Sequence, residues 1–486
     1  FKQKTAYEML RSLVGSEMCI RDRYGLIIGL IPAAGATTGL VILFSFMSYF
    51  TDPYLGVVFC MATVAASTTG DTYSGVLLGI PGANSSAATM VDGHPLAKQG
   101  KATYALTAAI TTSTINGLLW GTLTFALLPW YMNLMMIFGV PELWAFTMLA
   151  LACVGFVSNR FWVRSIIAIL IGTFLGMIGV DPVTNADRWT FGWDYLADGI
   201  QIMPMVAGLF AIPEILDGLK KGSATAQPHD TSGQTWDGIK ATWKYKWDAL
   251  RGGAIGAFVG FLPGIGGGVA DWMAYGSTLA ANPKEEFGNG NIRGVIGPEG
   301  SNNAQKATSM IPTVLFGIPG ASFAAVLIAL FMYLGFELGT PDLAADTKFF
   351  SALTYGFMWG TVLVAIICIT LNKYICKISY VPYKYYFPFL VGFIVWACAQ
   401  YTGGWEDYAI LLLCSFLGVF GKAYKYSRPA MLMAFILSYK VETLTIQMSA
   451  LYTWETLMTR PIFIGLVLLM IVLFGLSLKN NKLEYS

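Results

Sequence analysis

The sequence predicts an all-α polytopic membrane protein of about 11–12 spanning helices, arranged as two inverted repeats with re-entrant or broken helices. Three observations predict it. Of the 486 residues, 55% are apolar and only 12% are charged, about half the charge that covers an ordinary soluble domain. Apolar segments of spanning length recur to the C-terminal end. Two pairs of Gly/Pro motifs interrupt those segments at nearly one sequence offset.

Composition also narrows the function. A net charge of +2 offers no basic field for nucleic acid, so no such partner is expected. With only His94 and His229, no histidine-based metal centre or catalytic triad is expected. The seven cysteines (Cys19, Cys60, Cys153, Cys368, Cys376, Cys398 and Cys414) contain no CxxC pair and read as small buried hydrophobes.

Taken in order, residues 1–23 (FKQKTAYEMLRSLVGSEMCIRDR) are polar and lack the apolar run of a signal peptide. They read as a non-native, adapter-like leader, and a natural first spanning helix is expected to be missing. The first transmembrane repeat is placed at 24–216, with spans at 25–49, 104–128, 142–158, 165–180 and 200–216. The stretch 52–93 is rich in Gly, Pro, Ser, Thr and Asn and reads as a re-entrant hairpin or broken helix. Irregular backbone cannot face lipid, so it must be buried in protein or line a wet cavity. Residues 217–250 form a polar connection carrying Lys220, Lys221, Lys240, Lys244 and Lys246, which the positive-inside rule places in the cytoplasm. The second repeat, 251–478, has spans at 252–281, 322–338, 349–371, 385–400, 407–420, 429–447 and 460–478, with a second interrupted region at 282–321. A tail at 479–486, with Lys479 and Lys482, is again cytoplasmic. Acidic loops at 181–198, at 341–346 and at Glu406/Asp407 alternate with the basic ones, and Trp130, Trp189, Trp193 and Trp405 fall near predicted interfaces.

The repeat itself is carried by two ordered matches. Residues 29–35 read GLIPAAG and 260–266 read GFLPGIG; residues 79–83 and 317–321 both read GIPGA. The offsets are 231 and 238 residues. Each unit is then an apolar helix broken at Pro/Gly, a polar connection and a second broken segment. The first leads into a basic stretch at 94–101 and the second into an acidic one at 339–348, which makes the two units inverted. Paired broken helices in inverted repeats point to a transporter's binding site near the midplane. Free N–H groups at a half-helix N-terminus suit a carboxylate, and free carbonyls at the opposite half-end suit Na⁺.

The candidate substrate- and ion-binding residues derive from that geometry. The motif residues are Pro32, Gly35, Pro81, Gly82, Pro263, Gly264, Gly266, Pro319 and Gly320, where proline removes a donor and glycine lets backbone approach a ligand. Thr37, Thr38, Asn84, Ser85, Asn302, Asn303 and Ser322 offer side-chain hydrogen bonds, and Lys306 offers charge neutralisation. Asp71, Asp271 and Glu299 are the acids nearest the motifs, each able to carry a coupling proton or hold Na⁺. Kinking, helix capping and small-residue packing are the competing readings of every one of these positions. Asp92 and His94 read as a turn closing a hairpin. No cofactor is expected beyond a coupling H⁺ or Na⁺, and no resident metal.

These motifs also carry a resemblance. GLIPAAGATT (29–38), LLGIPGANSSAATMVDGHPLAKQGKA (77–102), GFLPGIGGGVADWMAYG (260–276) and GPEGSNNAQKATSMIPTVLFGIPGAS (297–322) resemble the large membrane subunit of the tripartite tricarboxylate transporters, a TctA-like chain, over nearly everything from Tyr24 onward. The sequence departs from that pattern at Asp71, where a second glycine often follows Gly70, and at His94, which replaces a usual tyrosine. The resemblance implies ion-gradient-driven uptake of di- or tricarboxylates across a bacterial inner membrane. It also implies a small membrane subunit (TctB-like) and a periplasmic substrate-binding protein (TctC-like) as partners. The alternatives are a membrane-embedded enzyme acting on lipids, whose acidic or histidine clusters are not visible, and a passive anion channel.

Overall fold

The computed structural model describes residues 25–26, 28–30, 35–79, 83–135, 138–153, 162–181, 186–221, 234–340, 342–343, 346–379, 383–402 and 404–482. Among them the only sheet is a two-residue antiparallel ladder, Gly179–Val180 with Asp187–Arg188. Everything else that is regular is helical. In chain order the helices are α1 (Gly35–Phe44), α2 (Pro53–Tyr73, carried on by a π-turn Ser74–Leu78), α3 (Thr89–Lys98), α4 (Ala102–Met135), α5 (Val140–Ala152) and α6 (Trp162–Gly176). Then come α7 (Ile202–Val206), α8 (Ile212–Lys221), α9 (Thr235–Lys244), α10 (Lys246–Phe261), α11 (Gly267–Ala281), α12 (Arg293–Thr308), α13 (Met310–Phe316) and α14 (Ser322–Tyr333). The chain closes with α15 (Thr347–Ser379), α16 (Tyr383–Thr402), α17 (Glu406–Ala423), α18 (Arg428–Leu451), α19 (Trp454–Met458) and α20 (Pro461–Lys482).

Three of these helical runs, Pro53–Leu78, Thr347–Asn372 and Arg428–Leu451, are long and apolar enough to cross a bilayer unaided. The 26 residues of the first extend about 39 Å at 1.5 Å each, beyond the ~30 Å hydrocarbon thickness. Large apolar side chains stay exposed on the outer helices, among them Phe389, Leu412, Phe416, Leu469 and Ile471. Helices apolar on their outward faces need lipid there, so the chain is a multi-pass membrane protein. All six described cysteines are buried and unpaired, as small hydrophobes.

Several boundaries differ from the sequence reading, among them that of 282–321, which holds the helix α12, and two more bear on the site. The segment 52–93, read as a re-entrant hairpin or broken helix, is a helical run Pro53–Leu78 whose break begins at Gly79. Its start is fixed by Asp52, whose side chain accepts from Tyr54 N at 3.0 Å, with Pro53 in the first turn. Three of its small polar residues are satisfied within the helix: Ser67 and Thr68 donate to Val64 O, and Ser74 to Asp71 O. Loop-like composition is then compatible with a buried helix. Conversely the expected span 252–281 divides into α10 and α11, because the GFLPGIG motif ends the first helix at Phe261.

The repeat is written into helix packing. A Cβ on Gly29 would stand 2.3 Å from Ser67 O, and one on Gly260 would stand 2.4 Å from Gln305 O. Ser67 and Gln305 are 238 residues apart, and Gly29 and Gly260 are 231 apart, the offsets of the motifs themselves. One turn earlier the crossing recurs as Gly25 on Thr63 and Gly256 on Ser301. The α10–α12 seam adds a third rung, with a Cβ on Gly252 falling 2.0 Å from Gly297 O. Glycines spaced four apart give a helix a flat face, and backbone meets backbone without side chains between.

Candidate functional site

The two GIPGA motifs share backbone conformations at their described first and last residues. Gly79 (φ 64°, ψ 24°) and Gly317 (φ 59°, ψ 28°) both end their helices in the left-handed region, which only glycine enters without strain. Ala83 (φ −141°, ψ 169°) and Ala321 (φ −157°, ψ 173°) then lead out in extended form, into a 3-10 turn at Asn84–Ser86 and into α14. Of the predicted motif residues, Pro32, Pro81 and Gly82 lie outside the described residues, as does the side chain of Asn84. Pro263, Gly264, Pro319 and Gly320 are buried at the breaks in the second unit, Gly35 begins α1, and Thr38 is buried on it.

The breaks converge. Thr37 Oγ1 lies 3.5 Å from Ser322 Oγ, which joins the first break of unit one to the second break of unit two. Reciprocally, a Cβ on Gly267 would stand 2.7 Å from Ser85 Cβ, which joins the first break of unit two to the second break of unit one. Gly264 N donates to Gly320 O at 3.0 Å and ties the two breaks of unit two together. First-motif residues of each unit thus lie against second-motif residues of the other. Lys306 and Thr68 occupy equivalent positions at the 238 offset, and they hydrogen-bond to each other, Lys306 Nζ donating to Thr68 Oγ1.

The half-helix N-termini at the two breaks of the second unit are left without side-chain caps. Helix α11 starts after Gly266 (φ 80°) and α14 after Ala321, neither of which supplies a capping side chain. Their first amides are therefore available to an anion. Beside α11 sits Gln305, only 1% exposed, whose amide oxygen would lie 3.3 Å from a Cβ on Gly267. Neither terminal atom of Gln305 has a hydrogen-bond partner among the described residues.

Around this point α2 and α12 gather a buried polar cluster. Glu299, Asn302 and Lys306, at spacings of three and four, share one face of α12 and meet Thr68 and Thr72 on α2. Thr72 Oγ1 donates to Glu299 Oε1 at 2.8 Å. Thr89 and Asn302 also lie close to that carboxylate, without reaching hydrogen-bond geometry. The Lys306 ammonium stands 6.0 Å from the Phe323 ring centre, and Asp71 and Glu299 are the charged groups it faces. Both oxygens of Asp71, and the amide atoms of Asn302 and Asn303, have no hydrogen-bond partner among the described residues. Asn303 presses on α4, where a Cβ at Gly117 would lie 2.9 Å from Asn303 Cβ. A buried polar group left unmade costs about 1–3 kcal/mol, so these groups call for polar partners that the described residues do not supply.

Other predicted residues brace rather than line the cluster. Asp271 Oδ2 accepts from Ala88 N at 2.7 Å, placing a carboxylate on the uncapped start of α3 from a different helix, while Oδ1 has no partner among the described residues. One turn along, Tyr275 donates to Asp92 Oδ2 at 3.0 Å. Asp92 is not in a turn, as its sequence context implied, but inside α3 and fully buried. Its Oδ1 accepts from Gly288 N, Gly290 N and Asn291 N at 2.7, 3.1 and 2.9 Å. It thus straps the loop before α12 onto α3.

Gln305, Thr68 and Thr72 escaped the sequence reading. The signal for Gln305 was present, since it lies in the same polar run as Asn302 and Lys306. Thr68 and Thr72 carried no local signal, because buried threonines in a membrane helix ordinarily bond their own backbone. The repeat does not duplicate the chemistry. Opposite Glu299, Asn302 and Asn303 the first unit carries Met61, Val64 and Ala65 at the 238 offset. The polar cluster therefore takes its amides and its lysine from the second unit, and Thr68, Asp71 and Thr72 from the first.

Comparisons with known proteins agree with this picture. The family profile described as the tripartite tricarboxylate transporter TctA family matches residues 23–433. An "Uncharacterized 52.8 kDa protein in TAR-I ttuC' 3'region" of Agrobacterium vitis is 27% identical over 396 residues, covering 81% of this chain and 78% of that one. An "Uncharacterized protein in TAR-II ttuC' 3'region" of the same organism is 31% identical over 165 residues, covering 34% of this chain and 68% of that one. No solved structure matches the chain significantly.

Proposed function

Because this chain belongs to the tripartite tricarboxylate transporter TctA family, we propose that it is the permease subunit of a binding-protein-dependent system that takes up di- or tricarboxylates by secondary, ion-gradient-driven transport. The observation that carries the reading is the convergence of broken helices beside a buried lysine and partnerless amides. The uncapped starts of α11 and α14 supply N–H groups for one carboxylate, and Lys306 and Gln305 supply a cation and an amide for another. The free oxygens of Asp71, with Glu299 nearby, suit a coupling H⁺ or Na⁺.

The reciprocal contacts between breaks support inverted units rocking or sliding about this point, so that the site faces each side of the membrane in turn. We place the chain in a bacterial inner membrane, with the Lys-rich connection 217–250 on the cytoplasmic side. Its partners are then a TctB-like small membrane subunit and a TctC-like periplasmic binding protein.

The test is uptake of a panel of radiolabelled di- and tricarboxylates into vesicles holding this chain with its cognate small subunit and binding protein, under an imposed H⁺ or Na⁺ gradient. Accumulation of at least one carboxylate is expected, and its loss in Gln305→Leu and Asn302→Leu while the protein stays in the membrane. Gradient-independent equilibration would point to a channel instead. Full transport by both variants would remove the site assignment.

A further inference from the structure

A helix broken inside a membrane has two poles, and the structure treats them oppositely. The N-terminal poles at Gly267 and Ser322 are uncapped, whereas the carbonyl pole of α13 is occupied by the chain itself. At the end of α13, Pro312 O accepts from Gly317 N and Ile318 N, and Val314 O accepts from Gly339 N at 3.0 Å. The terminal carbonyl, Phe316 O, accepts from Lys440 Nζ. That ammonium would also lie 3.6 Å from a Cβ on Gly317, so it sits at the break itself. Lys440 is the thirteenth of the 24 residues of α18, an apolar helix long enough to span, and its ammonium lies far from either end of that helix. A lysine so placed is costly unless a specific partner receives it. Its partner here is the negative end of a helix rather than a carboxylate.

The equivalent pole in the first unit is filled too, by different chemistry. Val76, equivalent to Val314, has its carbonyl oxygen 3.0 Å from His94 Nδ1, and a Cβ on Gly79 would stand 2.8 Å from His94 Nε2. Both side chains come from outside the broken segment they close. The two poles that most resemble alkali-cation sites in the sequence are thus already tenanted.

We propose that the carbonyl end of α13 is a monovalent-cation site whose resident cation is the Lys440 ammonium, so that an alkali cation enters it only when that ammonium is removed. The coupling ion of the transport reading is then taken elsewhere than this pole, and the carboxylate oxygens between α2 and α12 are its candidate site. The proposal rests on geometry at the break and holds whether or not the carboxylate assignment does.

The test is thermal unfolding of the purified full chain in lipid nanodiscs, in choline, sodium or potassium chloride at constant ionic strength. Lys440→Met and Lys440→Gln are expected to melt below wild type in choline. They should regain stability along a saturable curve as sodium or potassium replaces choline, beyond any response of wild type, while Lys440→Arg behaves as wild type. A neutral variant recovered folded only when purified in alkali salt gives the same support. Neutral variants that match wild type in choline overturn the proposal. So do neutral variants whose lost stability no alkali cation restores, including variants recovered folded in neither salt. Melting needs no substrate, so failure of carboxylate uptake leaves this result interpretable on its own.

Discussion

Replacing Gly256 by alanine puts one methyl group into the seam between α10 and α12. The new Cβ would stand 2.3 Å from Ser301 O and 2.6 Å from Ser301 Cα, against the 3.4 Å at which ordinary contact begins. The helices must therefore part by about 1 Å at that rung. Overpacking of this kind costs about 1–3 kcal/mol, and the better helix propensity of alanine returns about 0.5–1 kcal/mol, leaving a net loss of up to ~2.5 kcal/mol. Function should suffer more than stability. Ser301 sits between Glu299 and Asn302 on α12, and a shift of about 1 Å is enough to lengthen the 2.8 Å Thr72–Glu299 hydrogen bond beyond usefulness. Misplacement on that scale is worth about 100-fold in rate at a preorganised site. The control is Gly276→Ala on α11, where a Cβ meets nothing within 4 Å. That change should leave uptake intact and the melting temperature level or slightly raised. The assays are carboxylate uptake in vesicles and thermal unfolding of the purified chain. Indistinguishable uptake and melting for the two alanine variants would refute the argument that this seam sets the site.

The same site makes further predictions. Lys306→Met removes the ammonium that faces two buried carboxylates, a loss on the order of 3–5 kcal/mol; adding Asp71→Asn should restore much of the melting temperature but none of the uptake, and additive losses in that double-mutant cycle would argue against coupling. Asp92→Asn keeps the shape but weakens three backbone hydrogen bonds to an anion, so hydrogen exchange at 288–291 should quicken by roughly ten-fold or more, for ~1.5–3 kcal/mol lost. Gly317→Ala forces a side chain into a left-handed backbone at φ 59°, with about 1–2 kcal/mol of strain and a matching fall in melting temperature. An unchanged melting curve would contradict the conformation of the break.

Much of this protein was legible without a structure, because a bilayer constrains sequence more than water does. Low charge and recurrent apolar runs dictate a helical membrane protein, since only closed hydrogen bonding survives in lipid. Broken segments were equally readable, as Pro and Gly at matched offsets leave backbone groups that must be placed somewhere. The acids, amides and lysine near those motifs stood out because polar atoms inside apolar runs are costly. What sequence could not supply was partnership. That Asp271 braces α3, that Asp92 straps a loop 196 residues away, and that Lys440 reaches the break after Phe316 are contacts across the chain. No local pattern encodes them, because each depends on how helices distant in sequence are laid side by side. Even the length of α2 was a tertiary decision: its threonines and serines spell a loop in isolation, and become helix only where neighbouring helices bury them. Sequence thus dictates which groups must be satisfied, and packing alone decides by whom.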